Sequence, residues 1–401
     1  MITIEEAREI IRKNLPPRQI DKIDLAEAPG QVLAEDVFAR ESSPRYTNSA
    51  MDGFAVRWED VQTVTASGPV KLTIVGESQA GIPYAGKLQA GEAVRISTGG
   101  MLCRGADTIV PIEEVEISTQ NLKVLKADFH GQHVRSEGEE FSAGDLLLSK
   151  HTRLEPPSIA LLASQGITEV PVFRKPGVSI IVTGTELVPY NAAVKPWQIR
   201  DSNGIMLRSA VRKSGGETKL NAHVDDSYEK TVAAMEQAKE QSDIILFSGG
   251  VSVGPHDQVK KAAQECGLET LFWRVNQKPG KPLFFARSGD TLFFGLPGNP
   301  VSAYMCYLYY VHPVLQYLQG KEYAHRAIRG RVASAIRNTT SRAQLFRVSL
   351  EQTPDGLPLV CPISRQGSHM LTSLTDADGF IHLEVNNTLK AGDTVEVIPF
   401  E

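Results

Sequence analysis

Only four of the 401 residues are cysteine, and Cys103, Cys266, Cys306 and Cys361 lie far apart. With no C-x-x-C pair and no histidine in ligand spacing, a zinc knuckle and a disulfide framework are excluded. The four read as reduced packing residues, which makes a cytoplasmic location the expectation. No uninterrupted apolar stretch approaches the ~20 residues of a membrane helix, so no membrane association is expected. The opening residues, MITIEEAREIIRKNL, carry glutamates where a signal peptide would be apolar. They read as an amphipathic helix with Thr3 and Glu6 at capping-box spacing. The net charge is only −5, which argues against a general attraction to nucleic acid or anionic lipid. There is no solenoid-type repeat and no low-complexity tract.

What is present is an ordinary globular composition, 41% hydrophobic and 22% charged, in a chain longer than one core usually supports. Two to four domains are expected. Three segments share one form, a short apolar run that empties into a glycine-rich polar loop. They are VSIIVTGTEL (178–187), SDIILFSGGVSVGPHD (242–257) and LFFGLPGNP (292–300). Such runs read as strands buried on both faces. In open α/β sheets, loops leaving the carboxyl ends of such strands converge where ligands bind.

The surrounding chain supports that reading. Residues 170–320 alternate strand and helix patterns: strands at 178–183, 218–224, 244–248 and 271–275, and helices at 202–213, 228–240 and 258–265. A hairpin pairs 283–286 with 292–295, and a last helix starts at Pro300 and is interrupted at Pro313. This predicts βαβ units and a mostly parallel sheet. Residues 43–136 are rich in short alternating runs and read as a small β-rich domain. From about Gly320, strand-like runs separated by turns predict a C-terminal β domain. The apolar run at 159–166 is expected to pack back on the N-terminal helix, which makes the β-rich segment an insertion.

The loops carry the chemistry. Glycines in Ser248-Gly249-Gly250-Val251-Ser252-Val253-Gly254 expose backbone N–H groups to a phosphate. Asp257 follows, either as a helix N-cap or as a site carboxylate. In Leu296-Pro297-Gly298-Asn299-Pro300, Asn299 is a natural N-cap and Pro300 a natural first helical residue. A rigid loop of this kind at a helix start also suits anion binding. Glu186 either caps locally or points into the crevice. One of Asp225 and Asp226 caps the following helix, in competition with Ser227, and the other is left for magnesium or water activation. Any of Asp201, Ser202 and Asn203 fits a cap. Lys278 and Lys281 place two cations on a proline-constrained loop, with Arg200 and Arg274 as further positive charge. Asp52-Gly53 reads locally as a hairpin turn.

Together the motifs resemble one family. SAMDGFA, STGG followed by GADTIVPIEE, TGTEL, DSN, SGGVSVGPHD, QKPGKP and LPGNPVSA occur in this order from about Ile4 to the C-terminus. The chain resembles the MoeA-type molybdopterin molybdenumtransferases, similar to the E domain of gephyrin. The resemblance implies a multidomain α/β fold. Residues 1–42 with 137–169 would form an elongated helical linker domain and 43–136 an inserted β-rich domain. Residues 170–320 would form a MogA-like three-layer α/β domain with a mostly parallel sheet, and 321–401 a C-terminal β barrel. It also implies a homodimer with the active site between protomers, and molybdopterin-synthesising and adenylylating proteins as partners.

The reaction implied is insertion of molybdate into adenylylated molybdopterin. The phosphoanhydride is cleaved, and molybdenum cofactor and AMP are released with help from Mg²⁺. By motif, the implied catalytic residues are Asp52, Glu186, Asp225 and Asp257, the last three also as metal ligands. The implied substrate-binding residues are Thr98, Ser248, Gly249, Gly250, Ser252, Gly254, Lys278, Lys281, Pro297, Gly298, Asn299 and Pro300. The chain departs from the family pattern at Thr185, where an acidic residue is common, at Cys103-Arg104, and at Ser368-His369. The rival readings are a molybdopterin adenylyltransferase and a non-catalytic scaffold of gephyrin type. The sequence lacks the long disordered linker and fused N-terminal domain expected of such a scaffold.

Overall fold

The computed structural model describes residues 1–65, 67–250, 258–354 and 356–400. The chain divides into two compact units. One comprises residues 1–23, 31–34 and 171–401, the other residues 24–30 and 35–170. Among the described residues, no helix is long and apolar enough to cross a membrane.

The first unit is built on a six-stranded sheet. Its strands are β1 (Gly177–Thr183), β2 (Glu217–Val224), β3 (Ile244–Ser248), β4 (Glu269–Trp273), β5 (Phe284–Ser288) and β6 (Thr291–Leu296), in the order β2-β1-β3-β6-β5-β4. The first four strands in that order run parallel. The β5–β6 hairpin turns the edge antiparallel, as the pairing of Phe284 with Gly295 shows. β1 and β3 are buried along their whole length, because both sheet faces are covered. Alternate residues pack into different layers. Val178, Ile180 and Val182 join Ile244 and Leu246 on one face, while Ile181, Ile245 and Phe247 join Phe293 on the other. Helices α2 (Asn203–Lys213) and α5 (Pro300–Cys306) cover the first face. Helices α3 (Tyr228–Gln241) and α4 (Gln258–Glu265) cover the second.

The N-terminal helix α1 (Ile4–Lys13) has both bonds of its capping box. Glu6 N–H donates to Thr3 Oγ1 at 3.1 Å, and Thr3 N–H donates to Glu6 Oε2 at 2.7 Å. Its apolar stripe, Ile4, Ala7 and Ile11, is buried in the sheet core of the first unit. The helix belongs to the first unit and residues 137–169 to the second. The helix Pro156–Ser164 packs instead on the short 3-10 turn Leu25–Glu27. The interruption expected at Pro313 takes the form of a π-helical turn over Tyr307–Val311. Helix then resumes at His312–Leu318 with Pro313 in its first turn, where a missing N–H costs little.

C-terminal to the sheet, strands Ile328–Val332, Ala343–Glu351, Leu359–Pro362, Gly379–Leu383 and Thr394–Pro399 pair in a closed ring. This is the β barrel expected of the region, and it has five strands. Val332, Val348, Val360, Ile381, Leu383 and Val397 fill it.

The second unit contains a six-stranded sheet of Gly53–Val56, Val70–Ser78, Glu92–Ile96, Thr108–Pro111, Val115–Ser118 and Asn121–Val124. Asp52-Gly53 does not close a hairpin here. Asn48–Ser49 pairs with Val134–Arg135, whereas Gly53–Val56 pairs with Glu92–Ile96 and Thr108–Pro111. Gly53 is required by that close pairing, since a Cβ there would stand 2.1 Å from Val110 O.

Candidate active site

β1, β3 and β6 are consecutive parallel neighbours in the sheet, so the three loops the sequence singled out leave it side by side. They enclose a pocket of about 540 Å³ lined by Thr183–Gly184, Glu186, Ser248–Gly250 and Pro297–Pro300, with 199–203 and Asp226 completing the wall. The loops touch at backbone level. Gly249 N–H donates to Leu296 O at 3.2 Å. Gly249 (φ +100°) is also confined by sterics, because a Cβ there would stand 2.5 Å from Thr183 O.

Seven of the substrate-binding residues inferred from sequence therefore meet in one pocket with Glu186. They are Ser248, Gly249, Gly250, Pro297, Gly298, Asn299 and Pro300. Ser252, Gly254 and Asp257 lie outside the described residues. Lys278 and Lys281 are not among the residues lining the pocket, although Pro282 of the same loop is. That loop is braced from behind by buried Gln277, whose Nε2 donates to Gly280 O at 3.0 Å and which accepts from Tyr310 Oη.

The sequence left open which aspartate of the pair faces the pocket. Asp226 lines the pocket and Asp225 does not. Asp226 accepts from Thr183 Oγ1 at 3.0 Å, from Thr185 N–H at 3.2 Å and from Thr185 Oγ1 at 2.8 Å. Thr185, the departure from an acidic residue, is thus a donor that orients a carboxylate. Asp225 is exposed and bonded to Lys230 Nζ, which lowers its pKa below the ordinary value. The cap of α3 is Ser227, which accepts from Lys230 N–H.

The DSN motif divides its labour. Asp201 Oδ1 accepts from Gly204 N–H at 2.8 Å and so serves the start of α2. Asn203, 6% exposed, turns inward. Its Nδ2 donates to Ser248 Oγ at 2.9 Å and to Gly298 O at 2.8 Å, which ties two pocket loops to a helix. The sequence offered Asn203 only as a cap, and its place beside Asp201 was the signal available. Asn299 is the N-cap of α5 by backbone, but its side chain makes no capping bond. Its Nδ2 donates instead to Ser368 Oγ at 3.3 Å, which brings the tail motif to the pocket wall.

Asp52 and Thr98 belong to the second unit. Asp52 Oδ1 accepts from Thr98 N–H at 2.7 Å and from Thr98 Oγ1 at 3.1 Å. These bonds favour the charged carboxylate and lower its pKa below the ordinary value. The two expected site residues of this unit are therefore partners of each other.

The wider comparisons agree along the chain. Residues 2–166 match the MoeA N-terminal region (domain I and II), 179–317 a probable molybdopterin binding domain, and 329–400 the MoeA C-terminal region (domain IV). A Haemophilus influenzae molybdopterin molybdenumtransferase is 33% identical over 408 residues, covering 100% of this chain and 99% of the relative. The Bacillus subtilis protein of that name is 32% identical, covering 99% and 94%. The chain belongs to the molybdopterin molybdenumtransferase family. The crystal structure of a molybdopterin biosynthesis MoeA protein from Pyrococcus horikosii matches with a TM-score of 0.86 at 32% identity. It covers 100% of this chain and 99% of that one. In this molybdenumtransferase-family chain the pocket falls within the region matched by the molybdopterin binding domain.

Proposed function

We infer that the chain is a molybdopterin molybdenumtransferase, acting in molybdenum cofactor biosynthesis by inserting molybdate into adenylylated molybdopterin. What carries the reading is similarity to relatives of that name over essentially the whole chain. The pocket has the chemistry the reaction needs. A pocket wall built from the glycine-rich ends of two strands lets a phosphate approach the backbone closely. Glu186 and Asp226 offer carboxylate oxygens, which fit the preference of Mg²⁺ for one or two carboxylates together with substrate phosphate.

In this reading Glu186 and Asp226, with Asp257 as the family motif implies, would hold a magnesium ion, which would lower the pKa of a bound water and stabilise the departing phosphate. The chain's own groups do the positioning. Asn203 fixes the two loops that bind phosphate, and Thr183 and Thr185 aim the Asp226 carboxylate. Water attacks phosphorus, the phosphoanhydride P–O bond breaks and AMP leaves with the oxygen. Lys278 and Lys281 attract molybdate by their positive charge. Asp52 and Thr98 complete the site in a homodimer, reaching it from the partner subunit. An adenylylating protein supplies the substrate, and the work is done in the cytoplasm.

The test is incubation of the purified protein with adenylylated molybdopterin, molybdate and Mg²⁺, following AMP. Molybdate-dependent AMP release is expected. Consumption of ATP with release of pyrophosphate would indicate the adenylyltransferase instead, and no turnover of either kind would favour the scaffold.

A further inference from the structure

Between two stretches that line the pocket, the chain makes an excursion that carries exposed apolar side chains. The chain leaves the pocket at Leu187–Val188 and returns at Ile199–Arg200, two short strands paired in parallel with Leu187 opposite Ile199. Leu187, Ile199 and Arg200 all line the pocket. The excursion between them bears Tyr190 at 58% exposed, Trp197 at 70% and, at its return, Ile199 at 56%. Three large apolar side chains exposed within one short excursion, next to a pocket, are a feature of ligand-binding grooves. Trp197 is also held in place rather than on a loose tip. Gln198 N–H donates to Lys195 O at 2.9 Å, and Lys195 N–H donates to Gln198 Oε1 at 3.1 Å, which closes the turn around it. Lys195 Nζ lies 5.7 Å from the indole centroid.

We propose that Trp197 is a stacking platform at the pocket mouth for a flat heteroaromatic ring of the substrate. This rests on the reading of function above. The adenylylated substrate carries two such rings, the purine and the pterin, joined through phosphates. Stacking on an exposed indole suits either ring, because every such base presents a π face. The flanking charges suit the rest of the ligand. Arg200 lies on the pocket wall and Lys195 beside the indole, so a ring seated on Trp197 has cations near its phosphates. Ile199, two residues on, continues the apolar surface from the rim into the pocket.

The chain has three tryptophans, Trp58, Trp197 and Trp273. Neither Trp197 nor Trp273 is among the residues lining the pocket, and Trp58 belongs to the second unit, so the Trp197 substitutions assign the signal. Tryptophan emission of the full chain is titrated with AMP and, separately, with neopterin, corrected for absorbance. Quenching by AMP identifies the purine as the stacked ring and quenching by neopterin identifies the pterin. In either case the quenching is lost in Trp197→Ala and in Trp197→Phe, which has no indole to report. In the AMP-release assay Trp197→Ala raises KM for adenylylated molybdopterin about five- to tenfold with kcat little changed. Trp197→Phe, which keeps a ring, restores KM. The proposal is overturned if neither compound quenches, or if the quenching survives both substitutions. It is also overturned if Trp197→Ala leaves KM unchanged and instead alters the sedimentation mass, as an interface between copies would. Ring quenching does not depend on turnover. An absence of AMP release with quenching intact would count against the proposed reaction and not against the platform.

Discussion

Asn203 Nδ2 donates to Gly298 O at 2.8 Å, so the first residue of helix α2 holds the loop that follows β6. The same nitrogen reaches Ser248 Oγ at the end of β3. One buried amide thereby fixes the spacing of the two loops that form the phosphate wall.

Replacing Asn203 by Ala leaves two acceptors, buried Ser248 Oγ and part-buried Gly298 O, without their donor, at about 1–3 kcal/mol. The expected outcome is a folded protein with Tm lowered by roughly 2–8 °C and AMP release reduced about tenfold or more through loss of loop positioning. Calorimetry and the AMP assay read the two effects separately. Unchanged turnover with a lowered Tm would assign Asn203 to stability alone.

The aspartate pair gives a sharper contrast. Asp226 faces the pocket under three hydrogen bonds from Thr183 and Thr185, whereas Asp225 is exposed and paired with Lys230. Asp226→Asn should lower kcat/KM for AMP release by about 100-fold or more, the scale of a lost catalytic carboxylate. Asp225→Asn removes an exposed ion pair worth little and should stay within about threefold of wild type. Steady-state kinetics of the two variants decide it. The reverse ranking would restore Asp225 to the site.

These two cases mark what was legible in the sequence. β1, β3 and β6 were readable because apolar runs ended by glycine are local signals, and the convergence of their loops followed from the rule for open α/β sheets. The destinations of Asn203, Asn299 and Asp226 were not readable. Each can satisfy a local cap or turn, and the choice is made by partners far off in sequence: Gly298 for Asn203, Ser368 for Asn299, Thr183 for Asp226. The core that α1 enters was not readable for the same reason. Its amphipathic stripe was plain, but a stripe does not name the core it enters.

Acid sensitivity should trace partly to His325. Its ring is buried 4.6 Å from that of Tyr309 and near Arg8, and burial together with that positive charge lowers its pKa to about 3. The unfolded chain protonates the ring near 6.5, so the native state binds fewer protons between those values. Stability from the neutral ring is fully present above about pH 6.5 and is lost progressively as pH falls toward 3. His325→Phe removes that dependence. Urea unfolding at about pH 7 and about pH 4.5 should show wild type losing about 2–3 kcal/mol more than the variant over the interval. Equal losses in the two proteins would show that the ring is not held neutral.

Thiol chemistry offers a last check on the packing. Cys103, Cys266 and Cys306 are buried, and burial raises their pKa, to about 12 for Cys266 and Cys306. Cys361, in the barrel strand Leu359–Pro362, is the one partly exposed thiol, and its pKa is raised by burial and then by Glu351. The nucleophile is the thiolate, so access and ionisation both favour Cys361 without making it fast. Under native conditions near pH 8, a thiol reagent should modify one cysteine per chain, slowly and faster as pH rises. Cys361→Ser should abolish this native labelling, while all four cysteines react once the protein is denatured. Rapid native labelling at a second site would mean that one of the three cores opens on the timescale of the reagent.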